Sequence, residues 1–198
     1  TQELARQFKG QKEVEKDIEL LSSQVERCNQ ILKRLSLNPV EEDDFIDKDL
    51  TMRDYINEIV SSFKEISNKK FICNFDQDSN IKKITKSIEI VYGLRNFIGN
   101  AVKFSKTEVK IILESDNNKV RVLIKDDGPG YPEDIIDLIG EPYIKTKSRE
   151  IVNKSGLGLG TFLGKQLLER KGAKLSFLND RGAQAEVFWK TKDLVSNL

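Results

Sequence analysis

Asn96-Phe97-Ile98-Gly99-Asn100-Ala101-Val102-Lys103-Phe104-Ser105 closes a long apolar-periodic stretch, and its reading decides how the rest of the chain is placed. Asn96 and Asn100 are four apart, so on a helix both carboxamides leave the same face. Lys103 falls one position short of the next turn on that side. Two amide oxygens with a cation beside them suit a Mg²⁺-bound polyphosphate, because Mg²⁺ takes hard oxygen ligands and shares them with phosphate. Taken alone, the spacing is better explained as a solvated helix face.

Outward from this stretch the pattern alternates between helical and strand periods. The helix carrying the asparagines is predicted over Ile84–Ser105. Before it, Thr51–Ser67 reads as helix, with Tyr55, Ile56, Ile59, Val60, Phe63 and Ile66 as its buried face, and Lys70–Phe75 as a short strand. After it, Glu108–Ser115 and Lys119–Lys125 alternate as strands around the turn signal Asp116-Asn117-Asn118. Phe162–Arg170 reads as a helix stopped by Gly172. Lys174–Asn179 and Ala185–Lys190 make a last hairpin around Asp180-Arg181-Gly182. Helices on one face of a mixed, largely antiparallel sheet define an α+β fold, a two-layer α/β sandwich.

The chain ahead of this sandwich has a different period. Residues 1–37 read as helix, broken near Gly10. Val14, Ile18, Leu21, Val25, Cys28, Leu32 and Leu35 keep a 4-3 spacing over three heptads, which predicts a partner helix. Residues 38–47, with Asn38-Pro39 and Glu41-Glu42-Asp43-Asp44, read as a linker, and 48–198 as the main domain.

Two further clusters sit on this framework. Asp126-Asp127-Gly128-Pro129-Gly130 directly follows a strand. A carboxylate at a strand end can accept from an exocyclic amine, and glycines let backbone approach a flat ring. Equally, Asp-Gly-Pro-Gly is good chemistry for a tight turn. Ser155-Gly156-Leu157-Gly158-Leu159-Gly160-Thr161 runs straight into a helix. Alternate glycines free backbone N–H groups for an anion, and the helix N-terminus adds its positive end. It is neither a Walker loop, lacking Gly-Lys-Ser/Thr, nor a dinucleotide fingerprint, lacking a surrounding parallel βαβ unit.

Together and in this order, the three clusters resemble the boxes of the GHKL (Bergerat-fold) ATP-binding domain of a bacterial sensor histidine kinase. Asn96–Ser105 resembles the N box, Asp126–Gly130 the first glycine box and Gly156–Gly160 the second, with Glu141-Pro142-Tyr143 where an F box would be. The resemblance covers about residues 45–192, and the N-terminal helix resembles the second helix of a dimerisation and phosphotransfer domain. It implies ATP and Mg²⁺ as cofactors. Asn100 would hold Mg²⁺ with Asn96 beside it, Lys103 would meet phosphate, and Phe104 would border the nucleotide. Asp126 would accept from the adenine amino group, with Gly128 and Gly130 making room for the base. Gly156, Leu157, Gly158, Leu159 and Gly160 would line the phosphates. Tyr131 to Ser155 would be a lid, basic at Lys145, Thr146, Lys147 and Arg149. One departure stands out: the last hairpin reads Gly182-Ala183-Gln184-Ala185 where many relatives carry a threonine near the adenine.

Relatives such as gyrase B and MutL resemble one another in a Glu-x-x-x-Asn helix whose glutamate activates water. Here the first position is Asn96, which has no basic lone pair, so the resemblance points to a kinase rather than a hydrolase. The alternative is a GHKL nucleotide-binding regulatory module of the anti-sigma or pseudokinase kind. The 198 residues contain no histidine, which excludes a Ser-His-Asp mechanism, His-ligated metal and a His base within them. The implied acceptor histidine would lie upstream of Thr1, and the chain should not phosphorylate itself. The resemblance further implies a response-regulator receiver domain as partner and a homodimer through the helical region. A net charge of +1 gives no pull toward nucleic acid. No apolar run approaches the ~18–20 residues of a membrane span, so any membrane attachment is expected through a region outside these residues. A cytoplasmic domain is expected, with Cys28 and Cys73 in a reducing compartment. Gln24–Leu32 and Gly140–Tyr143 resemble the RegB/PrrB/ActS redox-responsive group, which implies a redox role for Cys28. Filling a helical seam is the other reading of that cysteine.

Overall fold

A computed structural model describes residues 50–76, 83–84, 87–142 and 159–194. The predicted heptad helix with Cys28 and the linker 38–47 lie outside the described residues.

The first described elements are β1 (Leu50–Thr51) and α1 (Met52–Ile66). Thr51 and Asp54 make a capping box: Thr51 Oγ1 accepts from Asp54 N at 3.2 Å and Asp54 Oδ2 accepts from Thr51 N at 2.8 Å, satisfying donors that the first helical turn leaves open. Tyr55, Ile56, Ile59 and Val60 face the core as the spacing predicts, and Met52 joins them. Ile66 does not. It is 75% exposed, because the last turn, Lys64–Ile66, has run past the helix–sheet contact before the chain turns into β2 (Lys70–Phe75).

A second correction concerns the asparagine helix. Ile84 belongs to β3 (Lys83–Ile84), paired antiparallel with Leu50, and α2 spans Ile88–Phe104. Ser87 caps it, accepting from Ile90 N through its hydroxyl at 3.4 Å. An apolar isoleucine is compatible with either period, so the boundary was set by the serine cap.

β4 (Glu108–Ser115) and β5 (Lys119–Asp126) form the predicted hairpin. Asp116 Oδ1 accepts from Asn118 N and Lys119 N at 2.7 and 2.9 Å and closes the turn. Next come α3 (Leu159–Arg170), β6 (Lys174–Asn179), β7 (Ala183–Lys190) and the short α4 (Thr191–Leu194). Helix α3 begins three residues before the predicted Phe162. It ends in a Schellman motif on Gly172 (φ +78°), with Ala173 N donating to Leu168 O and Gly172 N to Glu169 O.

The five-stranded sheet has the order β2-β4-β5-β7-β6. Only β2–β4 is parallel, and α2 lies in the crossover between them; the other pairs are antiparallel. Alternation sorts the faces. Val109, Ile111, Leu113, Val120, Val122, Ile124, Ala185, Val187 and Trp189 are buried with Tyr55, Ile59, Leu94, Phe97, Ile98 and Leu168 of the helices in one cluster. The opposite face carries Arg121 between Glu114 and Glu186, at 3.0 and 2.7 Å. A sheet with one apolar and one charged face covered by helices on the apolar side is the expected two-layer sandwich.

Candidate functional site

The site is built around the C-terminal half of α2. Asn96 and Asn100 share the face that α3 covers, and glycines set how close the two helices come. A Cβ at Gly160 would sit 3.1 Å from Asn96 Oδ1, one at Gly164 3.0 Å from Asn96 Cβ, and one at Gly93 2.4 Å from Leu168 Cγ. The two asparagines are half-buried between helices rather than on a solvated face. Asn96 Nδ2 donates to Tyr92 O of its own helix at 2.8 Å, and Asn100 Nδ2 donates to Thr161 Oγ1 at 2.9 Å. Both amino groups are therefore committed, and the carbonyl oxygens are the atoms that could ligate a cation. Lys103 is exposed in the last turn of α2, its ammonium 5.3 Å from the centre of the Phe104 ring.

At the end of α2 the chain meets the Asp126–Gly130 turn. A Cβ at Gly128 would stand 2.4 Å from Phe104 O and 2.8 Å from Asp126 Oδ1, so only glycine lets the turn lie against the helix end. Asp126 Oδ1 accepts from Gly128 N at 2.8 Å and from Ala183 N at 3.1 Å. That fixes the carboxylate and leaves Oδ2 for an incoming donor. Burial pushes the Asp126 carboxyl above the usual aspartate value; the two N–H groups pull it partly back, and Asp127 next door adds to the rise. Ala183 bears on the departure noted in the sequence. A threonine hydroxyl is missing there, while the backbone N–H still reaches Asp126.

Asp127 points the other way. It accepts from the N–H groups of Lys106, Thr107 and Glu108 and from the Thr107 hydroxyl, and so ties the α2–β4 connection to the end of β5.

Beyond Gly130 (φ +84°) the chain is clasped by β6. Asn179 Oδ1 accepts from Tyr131 N at 2.7 Å and Asn179 Nδ2 donates to Tyr131 O at 2.9 Å. Tyr131 packs edge-on against Phe177, which in turn contacts Phe97 of α2. The next residues turn back on α3: Gly140 (φ +92°) lies against Lys165, whose ammonium pairs with Glu141 at 3.3 Å. Of the expected lid Tyr131–Ser155, residues 131–142 are thus pinned to β6 and α3. Lys145, Thr146, Gly156, Leu157 and Gly158 lie outside the described residues, as do Lys147 and Arg149.

Leu159 and Gly160 form the first turn of α3, directly over Asn96. The sequence reading missed Thr161, Asn179, Asp127 and the Ala183 N–H. In the sequence Thr161 reads only as the last residue of the glycine cluster and Asn179 as the last residue of a strand. A backbone donor carries no residue signature at all.

The donor set fits a purine nucleotide with its cation. Asp126 Oδ2 can accept from an exocyclic amine at one end, and the first turn of α3 presents N–H groups at the other. Asn100 offers one neutral oxygen, the hard ligand type that Mg²⁺ takes while keeping phosphate and water as its other partners. Among the described residues no cluster of three His, Cys, Asp or Glu side chains could hold a metal by itself.

Comparison with known proteins gives the family. Residues 85–193 match the family described as histidine kinase-, DNA gyrase B-, and HSP90-like ATPase. The chain belongs to this ATP-binding GHKL family. It is 32% identical over 217 residues to the sensor histidine kinase RegB of Cereibacter sphaeroides, covering 98% of this chain and 46% of that protein. The sensor histidine kinase CssS of Bacillus subtilis is 27% identical over 88 residues, or 44% of this chain and 18% of the relative. The chain spans about half the length of the RegB it matches. In fold, it is similar to the nucleotide-free catalytic domain of histidine kinase ThkA (TM-score 0.59, 24% identity, 71% of this chain and 94% of that one). Full-length ShkA in complex with AMPPNP gives a TM-score of 0.60 at 20% identity, over 75% of this chain and 31% of that one.

Proposed function

We propose that this chain is the ATP-binding catalytic part of a sensor histidine kinase. It transfers the γ-phosphoryl group of ATP to a histidine outside these 198 residues, for relay to the receiver domain of a response regulator. The observation that carries this reading is Asp126: a half-buried strand-end carboxylate, oriented by two backbone N–H groups, with one oxygen left for the adenine amine. Asn100 holds Mg²⁺, Asn96 supports it, and Lys103 and Phe104 border the phosphates and base. The glycine loop ending at Gly160 delivers phosphate to the N-terminus of α3. Bound Mg²⁺ supplies charge neutralisation at the transferring phosphoryl group. The protein's own task is positioning, which is most of what phosphoryl transfer needs.

Asn96 supports kinase over hydrolase, since a carboxamide cannot take a proton from water. The similarity to RegB supports three finer points: a homodimer through the preceding helix, attachment to a membrane through a region outside this chain, and a redox role for Cys28. Among the described residues no helix is long and apolar enough to cross a membrane.

Calorimetric titration of ATP with Mg²⁺ tests the site. Asp126→Ala removes an oriented acceptor and should cost about 1–3 kcal/mol, or about tenfold to a hundredfold in affinity. Asn100→Ala should weaken binding in Mg²⁺ and much less in EDTA. Two variants that titrate like the parent would overturn the assignment.

A further inference from the structure

We propose that Thr161 is a positioning residue for the metal-binding carboxamide of Asn100. The proposal rests on the nucleotide reading above and adds to it a residue that no box contains.

Asn100 sits on α2 and Thr161 in the first turn of α3, 61 residues later, with Asn100 Nδ2 2.9 Å from Thr161 Oγ1. The bond forms where glycines on α3 face α2. Gly160 and Gly164 flank Thr161 on the contacting side, and at either one a Cβ would stand about as near to Asn96 as non-bonded atoms allow, 3.1 and 3.0 Å. A carboxamide presents two chemically opposite ends on one short stem. A cation recruits the oxygen, and the amino group is then turned back into the helix–helix interface. There it is a half-buried donor that needs an acceptor, and leaving it without one costs binding free energy. The Thr161 hydroxyl is that acceptor. Because a hydroxyl rotates freely, it imposes no penalty on the carboxamide before the cation arrives. The bond is in place without a cation, so the hydroxyl holds the carboxamide with its oxygen presented, and it bears on nucleotide affinity through the metal.

The second consequence is mechanical. Thr161 lies at the end of the glycine loop that delivers phosphate to α3. A displacement of that helix start pulls directly on the metal ligand, so loop position and metal affinity are read through one hydrogen bond.

The test compares the parent with Thr161→Val, which keeps the shape and removes the hydroxyl, and Thr161→Ser, which restores it. A non-hydrolysable ATP analogue is titrated in Mg²⁺ and in EDTA, with thermal melts alongside and Asn100→Ala as reference. Partners of metal ligands typically contribute about tenfold or more to affinity, so Thr161→Val should weaken binding about tenfold in Mg²⁺ and leave the EDTA value nearly unchanged. Thr161→Ser should recover the parent's Mg²⁺ dependence. If Asn100→Ala loses the Mg²⁺ dependence while Thr161→Val keeps it, Thr161 has no such role and the nucleotide reading stands. An equal loss in Mg²⁺ and EDTA assigns Thr161 to packing alone and overturns the proposal. If Asn100→Ala also binds like the parent, the metal reading fails and this inference fails with it.

Discussion

Asp126 and Asp127 have the same side chain, adjacent places and opposite electrostatics. Successive residues at a strand end project to opposite sides, so one faces the candidate site and the other reaches the α2–β4 connection. At Asp127 burial alone would raise the carboxyl, but the hydrogen bonds from Thr107, Glu108 and Lys106 outweigh it and hold the group well below the usual range. Its stabilising contribution is present above the unfolded aspartate value and is lost only as pH falls through the depressed folded one. At Asp126 the shift runs upward. The folded state holds that proton more tightly than the unfolded chain does. Ionisation therefore weakens the fold as pH rises from the unfolded value through the folded one, and the cost is fully present above the folded value. Asp126→Asn removes the charge while its Oδ1 can still accept from Gly128 and Ala183. The amide nitrogen would then meet an adenine amine donor to donor. The expected result is a melting temperature equal to or above the parent's without nucleotide, together with an ATP affinity lowered about tenfold or more. Differential scanning calorimetry and titration on one preparation check both signs. A second expectation follows from the same shift: ATP affinity should decline on acidification at a pH above the ordinary aspartate value, in the parent and not in Asp126→Ala. Matching pH profiles would remove Asp126 from the binding step. The sequence made Asp126 legible through its glycine neighbours. It could not assign Asp127, because a carboxylate that accepts from three backbone N–H groups of another segment leaves no pattern in its own.

Glycine spacing governs the elements as well. Helices α2 and α3 meet through Gly93, Gly160 and Gly164, and Leu168, fully buried, fills the space that a side chain at Gly93 would need. Gly93→Ala sets two effects against each other. Alanine in a helix interior gains about 1 kcal/mol over glycine, whereas forcing a methyl group into a packed contact costs about 1–3 kcal/mol. A Cβ 2.4 Å from Leu168 Cγ decides for the second, since that carbon is a branch point held in the core rather than a free side-chain end. Gly93→Ala should lower stability to chemical denaturation and weaken nucleotide binding too, because parting the helices stretches the Asn100–Thr161 bond. A stability gain with unchanged binding would show that the interface yields. At this scale the order of the longer elements, the strand pairing around Asp116–Asn118 and the last hairpin were legible from period and turn chemistry, whereas the short β1, β3 and α4 were not. The ends were not: α2 starts at Ile88 behind its Ser87 cap, β7 at Ala183, where it pairs with Asn179, and α3 at Leu159.

For the molecule as a whole, the absence of histidine from the 198 residues sets the sharpest expectation. Incubated with labelled ATP and Mg²⁺, the chain should bind nucleotide yet acquire no acid-labile, base-stable label. Phosphohistidine on the isolated chain would be incompatible with the proposed division of labour. The order of the strands has a further consequence, for synthesis. Asp126 reaches its second backbone partner, Ala183, across 57 residues, and β5 closes on β7 only when that last hairpin exists. Contacts so far apart in sequence form late, after the local hairpin of β4 and β5. A ribosome-bound chain that has already exposed Asn96, Asn100 and Asp126 still lacks the second of the two N–H groups that orient the carboxylate. Nucleotide capture is therefore deferred until the C-terminal strands emerge, and ATP can stabilise the finished domain without trapping an unfinished one.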